Sequence, residues 1–509
     1  MSDPDAAATA DAGADPKADT HTDADARILG AGTYAPRARL AGDAVAEAWG
    51  RFQPRGVDAV AVPAPDEDAL TMAATAGERA LSAAGVDGAD LAGLAFATTT
   101  PPVAEEDLTP RLGAALGVPA DATTRYAGRS TRAGTRALRA ARDAGAFPTL
   151  VVAADCPRGK PGEVEGQAAG AGAAAVVLGD PATPGARLLG DAEVAADYPG
   201  TRFRRPGTET VEGLGVSAYD RRAFVRPVAA AVDVLGGNAA DGDPSDTAPD
   251  IGDPTEVDAL AITAPDGDRP ARAARAIGID SDAVATPVDR LGDLGAAGPL
   301  VGLATALRAG ATRTLLVGWG SGAGADALLV SGVAPVEGDT EADPDATASY
   351  PEALRLRGEI TTDEPPAGGG AAVSVPTWRR SIPARYRLRA GRCPDCGALA
   401  FPPEGACPDC HSLVEYEAAP LPSVGTIQTV TGVTPGSAPP EFARQAARGG
   451  DYAVAIVAFE RDGRSVSVPM QVCAADPDDA SAGDAVRAVF RRVYEQEGVV
   501  RYGRKAVPA

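Results

Sequence analysis

Apolar and polar positions follow two rhythms along this chain. Between Arg27 and about residue 333, short apolar runs of strand length alternate with alanine-rich stretches of helical spacing. Residues 28–34, 91–99, 149–155 and 173–178 read as strands, several apolar enough to be covered on both faces. Residues 43–51, 66–84 and 133–144 read as helices, the second with an acidic first turn that suits the helix dipole. A second round follows, with helices at 221–235, 270–278 and 296–309 and strands at 259–263, 314–318 and 327–333. Two such rounds predict a duplicated α/β domain with buried sheets. Residues 236–255 and 339–348 are rich in Gly, Asp and Pro or in acids, and read as surface insertions. From about Thr377 the rhythm shortens, and alternating stretches at 425–431, 452–460 and 464–472 predict a small β-barrel.

Composition narrows the class. At 509 residues the chain is too long for one core and calls for several domains. Its net charge is −23, and its only lysines are Lys17, Lys160 and Lys505. An acidic, alanine-rich, lysine-poor chain suits concentrated salt, where charge repulsion is screened within ~3 Å at 1 M. The alternative is a highly soluble mesophilic protein from a GC-rich genome. Either way, the charge argues against nucleic-acid binding, which needs a basic face. No apolar run reaches membrane-spanning length. Residues 1–26 are rich in Ala, Asp and Thr, lack the features of a secretory signal, and read as a disordered acidic tail.

Six cysteines point to a reduced, cytoplasmic setting with a metal site. Cys393-Pro-Asp-Cys396 and Cys407-Pro-Asp-Cys410 form two C-x2-C knuckles with ten residues between them. Each knuckle aims two thiolates at one tetrahedral ion, so the pair predicts a closed, structural zinc site. A ribbon this small takes its folding energy from the metal. His411 adjoins the last ligand and reads as a surface residue. Cys156 and Cys473 read as small buried hydrophobes.

A zinc ribbon before a barrel resembles the OB-fold acyl-CoA-associated domain with its rubredoxin-like zinc ribbon. Gly483-Asp-Ala-Val486, Phe490-Arg-Arg492 and Arg501-Tyr-Gly-Arg-Lys505 resemble its closing signature. The resemblance implies a scaffold that bridges acyl-CoA enzymes.

Residues 27–375 resemble archaeal-type hydroxymethylglutaryl-CoA synthase. The segments that carry this are Gly32–Arg39, Ala46–Gly50, Pro63–Ala69, Ala154–Gly162, Gly170–Ala175 and Gly318–Asp326. The resemblance implies a thiolase-like five-layer αβαβα fold and a homodimer or larger complex. The expected divisions are 1–26 tail, 27–195 and 196–376 thiolase-like halves, 377–420 ribbon and 421–509 OB-fold barrel. The family joins acetyl-CoA to acetoacetyl-CoA. It uses a cysteine nucleophile, a glutamate acid/base, a histidine that holds the second thioester and an assisting asparagine.

Here those positions carry Thr131 in Thr131-Arg-Ala-Gly-Thr135, Thr99 in Thr98-Thr-Thr-Pro-Pro102, Thr263 in Thr263-Ala-Pro-Asp-Gly267, and Asp293 in Gly292-Asp293. No cysteine lies between Met1 and Asp155 and no histidine between Thr22 and Cys410. A hydroxyl at Thr131 or Ser130 needs a strong base such as Lys160 or a carboxylate to act as a nucleophile. Arg132, Arg136, Arg139 and Arg142 share one helical face. They read either as a solvated or interface face or, for Arg132 and Arg136, as a groove for CoA phosphates. The glycine loops at Gly170 and Gly320 fit either a pantetheine arm or tight packing. The expectation is a pseudoenzyme that binds CoA thioesters or scaffolds a thiolase or another synthase-family acyltransferase. The rival is an active acyltransferase with replaced catalytic groups.

Overall fold

A computed structural model describes residues 26–237, 251–338, 346–360, 374–496 and 498–509. Most of the tail expected at 1–26, His21 within it, and much of the insertions expected at 236–255 and 339–348 lie outside the described residues.

Ten strands join in one hydrogen-bonded sheet, nine of them in a single path and the tenth, Val336–Glu337, beside Arg27–Tyr34. Strand Arg27–Tyr34 is its hinge, pairing with Gly172–Gly179 along its length and with Ala186–Val194 at its first two residues. One half of the sheet runs on through Thr149–Asp155 and Gly93–Thr98 to the edge strand Thr123–Gly128. The other runs from Ala186–Val194 through Gly324–Ser331 and Arg313–Gly320 to Ala259–Ile262.

Helices fill the space between and outside the halves. Ala133–Ala144 and Gly298–Arg308 share a buried core with both halves. Ala69–Ala84 and Thr109–Leu116 cover the first half from outside, and Ser217–Leu235 and Asp268–Ala276 cover the second. This is the five-layer αβαβα arrangement of thiolase-like proteins. The small apolar side chains of these strands and helices let the layers pack closely, as expected for strands covered on both faces.

The first long helix starts at Ala69, not at residue 66. Asp68 is its N-cap, accepting the Thr71 amide at 3.0 Å, while the Thr71 hydroxyl accepts the Asp68 amide at 2.9 Å. Asp66 and Glu67 therefore precede the helix and point elsewhere, as described below.

Beyond the body, helix Val375–Arg387 leads into the ribbon strands Arg389–Arg392, Leu399–Ala400 and Glu417–Pro420. A closed barrel follows, built from Val424–Val433, Tyr452–Arg461, Arg464–Val472, Ala485–Gln496 and Val499–Pro508. Alternate residues such as Val457, Phe459 and Val468 fill its interior. The barrel is packed against the body. Trp378, Phe490, Val500 and Tyr502 belong to the same buried cluster as Leu70, Leu112 and Phe96.

Candidate functional site: a filled pocket, a metal centre and a charged seam

The residue expected at the nucleophile position lies at the start of a helix. Thr131 stands just before helix Ala133–Ala144 and is 4% exposed. Its hydroxyl, however, donates to the Trp319 main-chain oxygen at 2.5 Å. The Trp319 amide donates to the Thr263 hydroxyl at 3.0 Å. The backbone of one residue, Trp319, thus bonds to both Thr131 and Thr263. The Trp319 ring is buried, its indole NH held by the Ala223 oxygen at 2.8 Å and its face 5.0 Å from the Phe224 ring.

Thr99, expected at the glutamate position, is tied as firmly. Asp155, fully buried, accepts from the Thr99 amide at 2.6 Å and hydroxyl at 2.8 Å. It also accepts from the Thr98 and Thr100 hydroxyls, both at 2.9 Å, the Thr100 amide at 3.0 Å and the Ala296 amide at 2.7 Å. Six donors replace the hydration this carboxylate gave up on burial. Asp293 accepts the Gly295 amide at 2.9 Å and is ion-paired with Arg202. Arg204, two residues on, donates to the Thr99 carbonyl. Thr131, Thr263, Thr99 and Asp293 thus each have a side-chain oxygen bonded to protein. No side-chain base is bonded to the Thr131 hydroxyl among the described residues.

The glycine loops serve packing. A Cβ at Gly318 would lie 2.0 Å from the Thr135 hydroxyl, one at Gly320 2.2 Å from the Ser130 hydroxyl, and one at Gly170 1.8 Å from the Leu291 oxygen. The arginine face differs from an open phosphate groove. Arg132 has no exposure and forks onto Asp326 at 2.6 and 3.0 Å, with Glu193 at 2.8 Å. Arg139 pairs with Asp191, Glu193 and Asp326, and Arg142 with Asp191. Arg136, the most exposed of the four, meets Glu193 at 3.2 Å. A phosphate would have to displace these carboxylates, which hold the helix against strands Ala186–Val194 and Gly324–Ser331.

Cys156 is no substitute nucleophile. Burial, with Asp68 adding to it, pushes its thiol up to about 11. Cys473 is likewise pushed up by burial, and its thiol faces the Ala506 oxygen at 3.4 Å.

The ribbon brings Cys393, Cys396, Cys407 and Cys410 together, their sulfurs all within 4.8 Å of one another. Two pairs stand 3.8 and 3.5 Å apart. Zn–S bonds of ~2.3 Å in a tetrahedron put sulfurs ~3.8 Å apart, so the four thiolates fit zinc. Gly397 and His411 follow the second cysteine of each knuckle, and both take the left-handed backbone, at φ 74° and 60°. His411 thus completes a turn and is not a ligand.

A third cluster was not anticipated. At the seam between body and barrel, Lys505 reaches Asp66 at 3.2 Å and Arg491 reaches Glu67 at 3.2 Å. The Tyr502 hydroxyl donates to Asp68 at 2.8 Å and Arg504 meets Glu78 at 2.6 Å. Lys505 and Asp66 are 1% and 4% exposed in their side chains. Burial opposes ionisation of Asp66, but Lys505 and Arg491 outweigh it and hold the carboxyl below its usual range. The visible signal was a run of three acids before a helix and basic residues inside barrel strands, where an unpaired cation is costly.

Comparison with known proteins accords with this architecture. Residues 380–416 match the ChsH2 rubredoxin-like zinc ribbon domain. Hydroxymethylglutaryl-CoA synthase of Methanopyrus kandleri is 28% identical over 59% of this chain and 86% of that protein. The Pyrococcus horikoshii enzyme of the same name is 28% identical over 60% of this chain and 86% of that protein. Among solved structures, an HMG-CoA synthase complexed with CoA superimposes with a TM-score of 0.55 at 16% identity, covering 69% of this chain and 94% of that one. A 3-oxoacyl-(acyl carrier protein) synthase III of Pseudomonas aeruginosa gives 0.53 at 20% identity, covering 62% and 100%.

Proposed function

We propose that this chain is a non-catalytic relative of the hydroxymethylglutaryl-CoA synthases. It binds a CoA thioester, or an acyl-CoA enzyme such as a thiolase, and organises condensation in the cytoplasm. The observation that carries this reading is the Trp319 backbone, which engages both Thr131 and Thr263. A condensing site needs an ionisable nucleophile with a base in reach; here the Thr131 hydroxyl donates to the Trp319 carbonyl and the Thr263 hydroxyl accepts from the Trp319 amide. Arg202 on Asp293 and Asp155 on Thr99 further support a pocket retained for shape. The zinc ribbon and barrel, packed on the body, support a scaffolding role. The acidic surface supports work in concentrated salt.

The test is incubation of the purified full chain with radiolabelled acetyl-CoA and acetoacetyl-CoA, with calorimetric binding in parallel. Thioester binding or association with a thiolase, without a labelled adduct or product, is expected. Absence of both binding and association would overturn the scaffold reading. One observation favours a second reading: Thr131 keeps the nucleophile's place at the helix start. A stable acyl-protein adduct lost in Thr131→Ala would establish an acyltransferase instead.

A further inference from the structure

Between strand Ala186–Val194 and helix Ser217–Leu235 the chain makes a hairpin. Phe203 and Glu212 close it with reciprocal amide–carbonyl bonds of 2.9 and 2.8 Å. From its first arm, Arg202 pairs with Asp293 and Arg204 donates to the Thr99 carbonyl. These two anchors adjoin, because buried Asp155 accepts from Thr99 and from Ala296, three residues beyond Asp293. The Thr201 and Arg202 amides donate to the Ser321 hydroxyl at 3.2 and 3.1 Å. Ser321 follows Trp319 by two residues, and the Trp319 backbone holds Thr131 and Thr263. One short segment therefore reaches Thr99, Asp293 and the loop that binds the other two residues.

Polar contacts hold this hairpin. Of the apolar side chains between residues 198 and 216 only Val211 is buried, while Leu214 and Val216 are 61% and 52% exposed. The second arm pairs with Arg158–Gly159 over two residues, and the tip carries the exposed ion pairs Arg158–Glu209 and Arg205–Glu212, which add little. On the inner side, the Thr201 hydroxyl and Nη2 of Arg202 are buried without a hydrogen-bond partner among the described residues. Unpaired buried donors cost stability, so the closed hairpin gives back part of what its inner ion pair supplies. Gly200 and Gly215, at φ 84° and 68°, bracket the segment with backbone that other residues rarely adopt.

We propose that residues 198–216 form a cover over the site of Thr99, Thr131, Thr263 and Asp293, latched by Arg202 and Arg204 and opened by a ligand that brings acceptor oxygens of its own. A strap that only completed the core would bury Leu214 and Val216 and pair the Thr201 hydroxyl. Segments with few buried apolar contacts open locally at lower cost than the sheet beneath them. A carbonyl or carboxylate entering there meets the Thr201 hydroxyl and the unpaired Nη2 of Arg202. It also competes with the Thr99 carbonyl for Arg204. Arginine suits the exchange, because its planar fork offers several donors at once. That the ligand is a CoA thioester rests on the proposed function; the cover does not.

Two readouts on the full chain with zinc bound test the cover. In hydrogen exchange, the amides of Thr201, Arg202, Phe203, Glu212 and Leu214 should exchange together, at least tenfold faster than those of strands Thr149–Asp155 and Arg313–Gly320. Arg202→Gln should speed them at least a further tenfold and leave the sheet strands unchanged. Thr131→Cys places a reporter thiol beneath the hairpin, and mass spectrometry follows its alkylation by iodoacetamide. Adding Arg202→Gln should speed that alkylation at least tenfold. Hairpin amides as protected as the sheet, or alkylation unmoved by Arg202→Gln, overturns the cover. If Arg202→Gln unfolds the chain, the wild-type exchange pattern decides alone. If the hairpin opens as described and acetoacetyl-CoA does not bind, the cover stands and the acyl-CoA reading falls. If acetoacetyl-CoA binds without altering exchange at these five amides, that reading stands and the cover is overturned.

Discussion

Replacing Lys505 with Met tests whether the barrel is locked to the body by buried charge. The ammonium is 1% exposed and lies 3.2 Å from an Asp66 carboxylate that is 4% exposed. Methionine preserves the stem's packing and removes the charge. Asp66 then stays buried with Arg491 and the Cys473 thiol left to stabilise its anion. Breaking one partner out of such a pair costs about 3–5 kcal/mol. The loss falls on the seam, so it appears as opening of the docked barrel before global unfolding. At about 1.4 kcal/mol per tenfold, the open population rises from about a hundredfold to a few thousandfold. Hydrogen exchange of the Leu70–Thr75 amides and fluorescence of Trp378, which packs in the same seam, report the opening. The pH dependence follows from the Asp66 shift. Its carboxyl is held below the usual value, so its contribution is present above the unfolded pKa near ~3.9 and is lost as pH falls further. Lys505→Met should flatten that acid limb. An Asp66→Leu/Lys505→Met double variant should recover most of the loss, because apolar replacement of a whole buried pair is often neutral. Unchanged exchange and a stability loss under about 0.5 kcal/mol in Lys505→Met would refute a charge-locked seam.

Four further outcomes are expected. Asp155→Ala strands the hydroxyl and amide donors of Thr98, Thr99 and Thr100 and should cost about 3–5 kcal/mol by denaturant titration; a loss below 1 kcal/mol would show that water replaces the carboxylate. Removing zinc with a strong chelator, or Cys396→Ser, should expose the ribbon strands Arg389–Arg392 and Glu417–Pro420 to exchange while the sheet body stays protected. The triple variant Thr131→Cys/Thr99→Glu/Thr263→His should form no hydroxymethylglutaryl-CoA, since the new glutamate lies against Asp155 and Arg202 still holds Asp293; product detected by mass spectrometry would show that three side chains suffice. Moving from molar salt to about 0.1 M should lower the thermal midpoint, because the net charge of −23 loses its screening; an unchanged midpoint would count against a halophilic surface.

Much of the architecture was legible in the residues. The zinc knuckles are local: four ligands and their turns fall within 18 consecutive residues, and thiolate geometry leaves little choice. The buried strands 149–155 and 173–178 and the helix 133–144 announced themselves through apolar runs and alanine spacing, which are also short-range signals. The threonines at the reactive positions could be read directly, as could the want of histidine in the body. What the tertiary structure alone decided was which charges meet. Arg132 finds Asp326 across 194 positions, and Tyr502 finds Asp68 across 434. A helical face of arginines looks the same whether phosphates or carboxylates lie opposite, because periodicity reports a face and not its partner. The same holds for Asp66, Glu67 and Asp68, which resemble a helix-start run until the barrel places Lys505 and Arg491 over two of them. Local pattern settles where side chains point; only the folded chain, by excluding water and choosing neighbours, settles what each charge is for.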